Sequence, residues 1–300
     1  ELIINDKIYL KDYHSQQIIE TDLKGNFKNK YGNQGGGPKE NLMIRGFFID
    51  DLGYYTSDSQ KNVISNVTFN NELIYHYKPS FHLSISGFLK SGKVIAKGNT
   101  VTEDKNTVLN FLLIDPKNES ETRIDVSNIY DLNELYSDWV YDGAFTPSND
   151  GGLFYIPHYS NTIIKFDKNG EIDYSSKLIY DVPKIILTKA GTSVFPSEND
   201  APHYYSSSND GDFLYVQSAI GDSKHGLNTL IIDVYNSLNG KYVSSLPIKK
   251  SDDDSFPNSI KVYNNKLYLF YEQTIRVFQL KFWKIWAEFM FEFHKKIIKY

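Results

Sequence analysis

Short apolar runs alternate with polar turns along almost the whole chain. In the first such stretch, Lys7 to Glu40, the run Lys7-Ile8-Tyr9-Leu10 is followed by a polar turn over Lys11 to Gln16 and a second apolar run, Gln17-Ile18-Ile19. A glycine turn at Leu23-Lys24-Gly25-Asn26, a third short strand from Phe27 to Tyr31 and a glycine cluster closed by Pro38 complete it. Strands of this length between Gly and Asn turns predict an antiparallel meander. One meander cannot bury both of its faces, so it needs copies of itself.

The copies are present. The anchor of the first stretch recurs as Gly53-Tyr54-Tyr55-Thr56, Lys93-Val94-Ile95-Ala96, Leu153-Phe154-Tyr155-Ile156, Phe213-Leu214-Tyr215-Val216 and Lys266-Leu267-Tyr268-Leu269. The central positions 9, 55, 95, 155, 215 and 268 are spaced by 46, 40, 60, 60 and 53 residues. Turn signals such as Ser91-Gly92, Asn149-Asp150-Gly151-Gly152 and Asn209-Asp210-Gly211 precede most anchors, and turns of this kind need positive φ. A further strand follows each anchor, as at Val63 to Phe69 and Thr274 to Leu280, and one more short strand precedes most of them. Four strands per unit and six units predict an all-β, six-bladed β-propeller of four-stranded antiparallel blades. The alternative is an irregular β-sandwich. The wider intervals hold insertions at Ser127 to Tyr141 and Lys189 to Pro202. Glu1 to Ile4 is expected to close the ring beside Arg276 to Leu280.

The tail follows another period. From Lys281 to Tyr300, apolar residues at 282, 285, 286, 289, 290, 293 and 297 are spaced for a helix, with lysines and glutamates between them. The division expected is a propeller over 1–281 and a C-terminal amphipathic helix over 282–300. The helix packs under the propeller, or it uses Trp283 and Trp286 to meet a membrane or partner.

Composition narrows the function. Aromatic residues make up 15% of the chain, which suits half-buried strands. The net charge is −5 with no clustered basic face, which argues against a nucleic-acid partner. The chain has no cysteine, so disulfides, thiolate metal sites and cysteine nucleophiles are excluded. No apolar run reaches the roughly 20 residues of a spanning helix. The chain starts at Glu1 without an apolar leader and is read as a processed form whose export signal lies outside it.

The order KIYLKD, an apolar strand, DLKGNF, KYGNQGGGPKE and FFIDDLGYYTSD, over Lys7 to Asp58, resembles the bacterial six-bladed β-propeller family related to NHL repeats. The shared feature is a G-x-G-P-x-E segment leading into the next inner strand, here Gly35-Gly36-Gly37-Pro38-Lys39-Glu40. The resemblance is specific over about 55 residues and diffuse elsewhere. It implies the propeller fold and an exported lipoprotein of a Bacteroidetes-type cell envelope, and it carries over no catalytic residues. The segment's own chemistry is that of a structural loop. Gly35 and Gly37 permit positive φ, Pro38 bars a central strand, and Glu40 is placed to accept hydrogen bonds from the loop's amides. A phosphate-cradling loop is the alternative, but it lacks the usual Gly-Lys-Ser/Thr ending and a following helix.

Propeller ligands meet the face built by blade-joining loops and by loops between second and third strands. Five of the seven histidines fall there: His14, His82, His158, His203 and His225, with Asp12, Arg45, Asp58, Trp139, Asp142, Tyr159, Tyr204 and Glu272. The ligand-binding candidates are His14, Arg45, His82, Trp139, Asp142, His158, Tyr159, His203, Tyr204 and His225. Converging imidazoles could bind a metal or titrate near neutrality, whereas solvated loop residues would do neither. Exposed aromatics near the axis (Trp139, Tyr141, Tyr204, Tyr205) could stack on a sugar or clamp a peptide, or could simply pack between blades. Asp252-Asp253-Asp254 reads as a solvated acidic run, and Asp167-Lys168-Asn169-Gly170 as a hairpin turn rather than a calcium loop. No hydrolase motif is present.

The leading expectation is therefore a non-catalytic binding or scaffold module of the cell envelope. It would recognise a peptide, protein partner or glycan on its loop face and need no cofactor. The rival is a lactonase-like hydrolase with an axial metal, for which the inner-strand starts offer few carboxylates. A structural subunit anchored by the tail is the third reading.

Overall fold

The computed structural model describes residues 1–101, 107–132, 137–180, 187–190, 193–196, 204–218, 229–249, 256–280 and 295–299. The repeated meanders form six four-stranded antiparallel sheets. Blade 1 contains β1 (Leu2–Ile4), β2 (Lys7–Asp12), β3 (Gln17–Asp22) and β4 (Phe27–Tyr31). A two-residue parallel pair, β5 (Asn33–Gln34) and β6 (Glu40–Asn41), then ties the glycine loop. Blade 2 has β7 (Ile44–Ile49), β8 (Gly53–Asp58), β9 (Val63–Thr68) and β10 (Leu73–Tyr77). Blade 3 has β11 (His82–Phe88), β12 (Val94–Val101), β13 (Thr107–Asp115) and β14 (Ser120–Ile124). After the one-turn helix α1 (Ser137–Val140), blade 4 has β15 (Gly143–Pro147), β16 (Leu153–Pro157), β17 (Thr162–Phe166) and β18 (Ile172–Lys177). The insertion before blade 5 carries a hairpin, β19 (Leu187–Ala190) and β20 (Ser193–Pro196). Blade 5 has β21 (Tyr204–Asp210), β22 (Phe213–Ser218), β23 (Thr229–Asn236) and β24 (Tyr242–Lys249). Blade 6 has β25 (Ser259–Tyr263), β26 (Lys266–Phe270), β27 (Thr274–Gln279) and β28 (Lys295–Lys299).

All six anchors lie in second strands, and their central residues are buried: Tyr9, Tyr55, Ile95, Tyr155, Tyr215 and Tyr268. The core is a set of apolar clusters between neighbouring sheets rather than one central mass. In the largest aromatic group the rings of Phe111 and Tyr155 meet edge-on at 4.9 Å. Tyr130 and Tyr141, from the 127–141 insertion, stack at 4.2 Å and seal that cluster. Burying each such side chain contributes about 1.5–3 kcal/mol. Tyr141 thus belongs to the core and not to an exposed aromatic rim.

Two expectations need correction. Leu2–Ile4 does not extend the last blade; it pairs with Lys7–Tyr9 as the inner strand of blade 1. The fourth strand of blade 6 comes instead from Lys295–Lys299, which pairs with Thr274–Phe278. Those five residues are extended rather than helical and form part of the propeller. The rest of the expected helix, including Trp283 and Trp286, lies outside the described residues. An unpaired outer edge on β27 would expose a row of backbone donors and acceptors, and the Lys-Ile-Ile-Lys stretch covers it.

Polar side chains join the blades in sequence. Gln16 Oε1 accepts from the Ile44 amide at 2.8 Å, and Asn62 Oδ1 accepts from the Leu83 amide at 2.8 Å. Lys97 Nζ donates to Asp142 at 2.6 Å, the His158 ring meets the Tyr204 carbonyl at 2.6 Å, and Gln217 donates to the Pro257 carbonyl at 3.0 Å. Each clamp runs from the second strand of a blade, or the loop after it, to the start of the next blade's inner strand. Blade 6 meets blade 1 differently: Ser259 Oγ donates to Glu1 Oε2 at 2.7 Å, and the Asp6 amide donates to Tyr263 Oη at 3.2 Å. Inner strands approach closely where side chains allow. A Cβ on Gly46 of β7 would lie 2.6 Å from the Ser86 carbonyl of β11, so only glycine fits there.

Candidate functional site

The inner strands β1, β7, β11, β15, β21 and β25 surround the axis and enclose a cavity of about 320 Å³. Every blade contributes to its wall, with Leu2, Phe47, Ile85, Phe145, Ser207 and Lys261 as one residue from each. The wall has two chemical sides. Lys11, Arg45 and Lys261, from blades 1, 2 and 6, supply cationic groups. Blades 3 and 4 supply the apolar Ile85, Phe88, Phe145 and Pro147 together with Ser86 and Thr146, whose hydroxyls are bonded to those of Ser57 and Ser207. Ser206 and Ser207 of blade 5 separate the two. A second cavity of about 170 Å³ continues along the axis beside Leu2, Phe48, Thr146 and Lys261.

Strand alternation sets these directions. In β25, Ile260 and Val262 are buried in the core while Lys261 between them faces the axis. Its Nζ donates to the Ser207 carbonyl at 3.2 Å. The Ser207 hydroxyl meets Thr146 Oγ1 at 2.5 Å. The flanking Ser206 and Ser208 hydroxyls accept the Ile260 and Val262 amides at 3.1 and 2.8 Å. The three consecutive serines of β21 thus tie blade 5 to blades 4 and 6. Burial pulls the Lys261 ammonium below its ordinary pKa, and the charge of Glu1 opposes that shift. At the rim, Lys11 Nζ donates to the Ile44 carbonyl at 3.1 Å and lies 3.9 Å over the Tyr13 ring. Arg45 Nε donates to Ser59 Oγ at 3.3 Å. Tyr13 is 71% exposed, and Tyr205 is 37% exposed and stacks near-parallel to Phe256 with centroids 6.5 Å apart.

Of the residues expected to bind ligand, the structure places Arg45 on this cavity. His14 and His82 are exposed and do not line it. Asp142, His158 and Tyr204 come together, but as parts of the junctions between blades 3, 4 and 5: Asp142 holds Lys97, and His158 holds Tyr204, which is buried. Tyr159 packs against the core cluster between blades 3 and 4, and Trp139 sits partly exposed on α1. His203 and His225 lie outside the described residues. Asp58 is a loop organiser: its buried carboxylate accepts from the amides of Leu42 and Met43 on one oxygen and of Gln60 and Lys61 on the other. Among the described residues no three His, Asp or Glu side chains converge so as to hold a metal ion.

In the glycine segment, Glu40 Oε2 accepts the Gly37 amide at 2.7 Å. Lys61 Nζ donates to the carbonyls of Gly37 and Glu40 at 2.6 and 2.9 Å. A Cβ on Gly35, whose φ is +155°, would fall 2.2 Å from the Glu40 carboxylate. Pro38 is exposed at the turn. The loop is filled by its own side chain.

Sequence reasoning missed Lys11, Tyr13, Lys261 and Ser207 as lining residues. The available signal was Ser259-Ile260-Lys261-Val262, an inner strand with a lysine flanked by two apolar residues.

No protein-family model matches the chain, and no curated protein matches its sequence. Solved structures do match in shape. A member of the DUF4221 family from Bacteroides vulgatus superposes with a TM-score of 0.57 at 13% identity, covering 88% of this chain and 83% of that one. A protein from Bacteroides fragilis described as a "putative exported protein" gives 0.51 at 14%, covering 91% and 77%. Virginiamycin B lyase from Staphylococcus aureus gives 0.53 at 13%, covering 90% and 75%. At these identities the likeness is one of fold: the chain is an all-β, six-bladed propeller of four-stranded antiparallel blades.

Proposed function

We propose that this chain is a non-catalytic recognition module of the bacterial cell envelope, holding a peptide, protein partner or glycan at the axial mouth of its propeller. The observation that carries this reading is the makeup of the cavity wall. Its described residues include one carboxylate, Glu1, and no imidazole, with aromatic and cationic groups at the rim. Such a wall can orient a ligand, and it is poor in the carboxylates and imidazoles that most often carry acid–base turnover. The envelope reading draws support from the Bacteroides fragilis neighbour described as a "putative exported protein" and from the segment Gly35 to Glu40 that resembles NHL-related exported propellers. No helix among the described residues is long and apolar enough to cross a membrane.

Peptide and neutral-glycan arrays probed with the full chain and with a Tyr13→Ser/Tyr205→Ser variant test this. The expected result is a ligand signal that the variant loses. Metal-dependent hydrolysis of a lactone or ester panel by the full chain would overturn it.

A further inference from the structure

Two fully buried lysines of the chain are each paired with a carboxylate. Lys97 has the Asp142 carboxylate at 2.6 Å, and Lys165 has that of Asp150 at 2.8 Å. Lys261, partly buried on the axis, has the Ser207 carbonyl as its one hydrogen-bond acceptor among the described residues. Among the described residues, none of Lys11, Arg45 and Lys261 has a carboxylate within 4 Å. Each retains donors: a lysine has three and an arginine five, and each uses one in the bonds described. The single acid of the wall, Glu1, accepts from the Ser259 hydroxyl at 2.7 Å and acts on Lys261 and Lys11 through its charge, so one carboxylate stands against three cations.

An unpaired cation in a partly desolvated site is costly, and an incoming anion relieves that cost. The opposite wall restricts which anion fits. Ile85, Phe88, Phe145 and Pro147 offer nothing to a phosphate's remaining oxygens but would bury an apolar body. We propose that the axial cavity binds an organic carboxylate with an apolar body, its carboxylate directed to Lys261, Arg45 and Lys11 and its body laid against blades 3 and 4. The carboxylate of a peptide ending in an apolar residue has this chemistry, and so does a free arylalkanoic acid. The inference rests on the axial mouth being the recognition site and specifies the group that enters it.

Isothermal titration with the full chain distinguishes the outcomes. The probes are acetyl-Gly-Gly-Phe as free acid, the same peptide as its amide, 3-phenylpropionate and the neutral sugar maltotriose. The free-acid peptide is expected to bind, and amidation to weaken it by at least about tenfold, the loss of one charge-assisted contact. Lys261→Met is expected to cause a similar loss while the thermal midpoint is kept. Arg45→Gln, at an exposed position, gives a smaller loss that shrinks further at high salt. Tighter binding of the peptide acid than of 3-phenylpropionate assigns the site to peptides, and the reverse assigns it to free acids. Equal affinity for acid and amide, or full affinity in Lys261→Met, would overturn the proposal. Binding of maltotriose with no binding of either acid would overturn it too, while leaving the recognition role of the mouth intact.

Discussion

Inside blade 5, the Ser245 hydroxyl donates to Asp233 Oδ1, and that bond is the carboxylate's single hydrogen bond among the described residues. Asp233 has no solvent exposure, and burial pushes its pKa up to about 6, with the Ser245 bond opposing the shift. A carboxyl raised in the fold above its ordinary value of 3.8 holds its proton more tightly folded than unfolded. Its stabilising contribution is therefore complete below about pH 4 and is lost as pH rises through 6. Asp233→Asn removes the titration. The stability difference, variant minus parent, is expected to grow by about 2–3 kcal/mol between pH 4 and pH 8. Urea midpoints across that range measure it, and a difference constant with pH would refute the assignment.

Asp58 satisfies four amides from two loops, one before β7 and one after β8. Asp58→Ala leaves those donors without their acceptor and is expected to cost about 2–4 kcal/mol. Asp58→Asn keeps one oxygen and is expected to cost less. Denaturant titration of both variants checks the order, and equal losses would show that the carboxylate acts only by charge.

The carbonyl of Tyr204 can only accept, so His158 carries a proton on Nδ1 and donates it to that carbonyl. His158→Ala is expected to lower stability by about 1–2 kcal/mol without weakening ligand binding at the axis. A binding loss larger than the stability loss, seen by calorimetry on the folded variant, would return His158 to the ligand-contact set.

Gly35 and Glu40 are coupled through space. Gly35→Ala drives a Cβ into the Glu40 carboxylate at a positive φ and is expected to cost about 1–3 kcal/mol. Trimming the acid with Glu40→Ala should remove the steric part of that cost. The double variant is then less damaged than the sum of the singles, by about 0.5–2 kcal/mol. Strict additivity in a thermal double-mutant cycle would deny the contact.

The fold was legible because each blade repeats the same local problem. A second strand that packs between neighbouring sheets needs a large buried residue at its centre, and Tyr9, Tyr155, Tyr215 and Tyr268 announce it, each after a turn signal. The C-terminal strand was not legible. Lys295–Lys299 has no alternation, and the helical spacing upstream extends through Ile297; pairing to the open edge of β27 overrides that local preference. The site was half legible for a related reason. Loop position marks a residue as near the mouth but does not say whether its side chain points inward. Arg45 does; His158 and Asp142 turn sideways to hold a neighbouring blade. Lys261 was hidden because a lysine in a strand usually reads as an outward-facing residue.

The five inter-blade clamps run the same way round, each completed by residues near one another in sequence. The joint between blades 6 and 1 is made by residues 258 and 257 positions apart. The molecule is a bracelet with one clasp. Lys261 of blade 6 and Lys11 of blade 1 stand on opposite sides of that joint. A guest that reaches both is therefore also a latch, and its affinity adds directly to the free energy holding the ring shut.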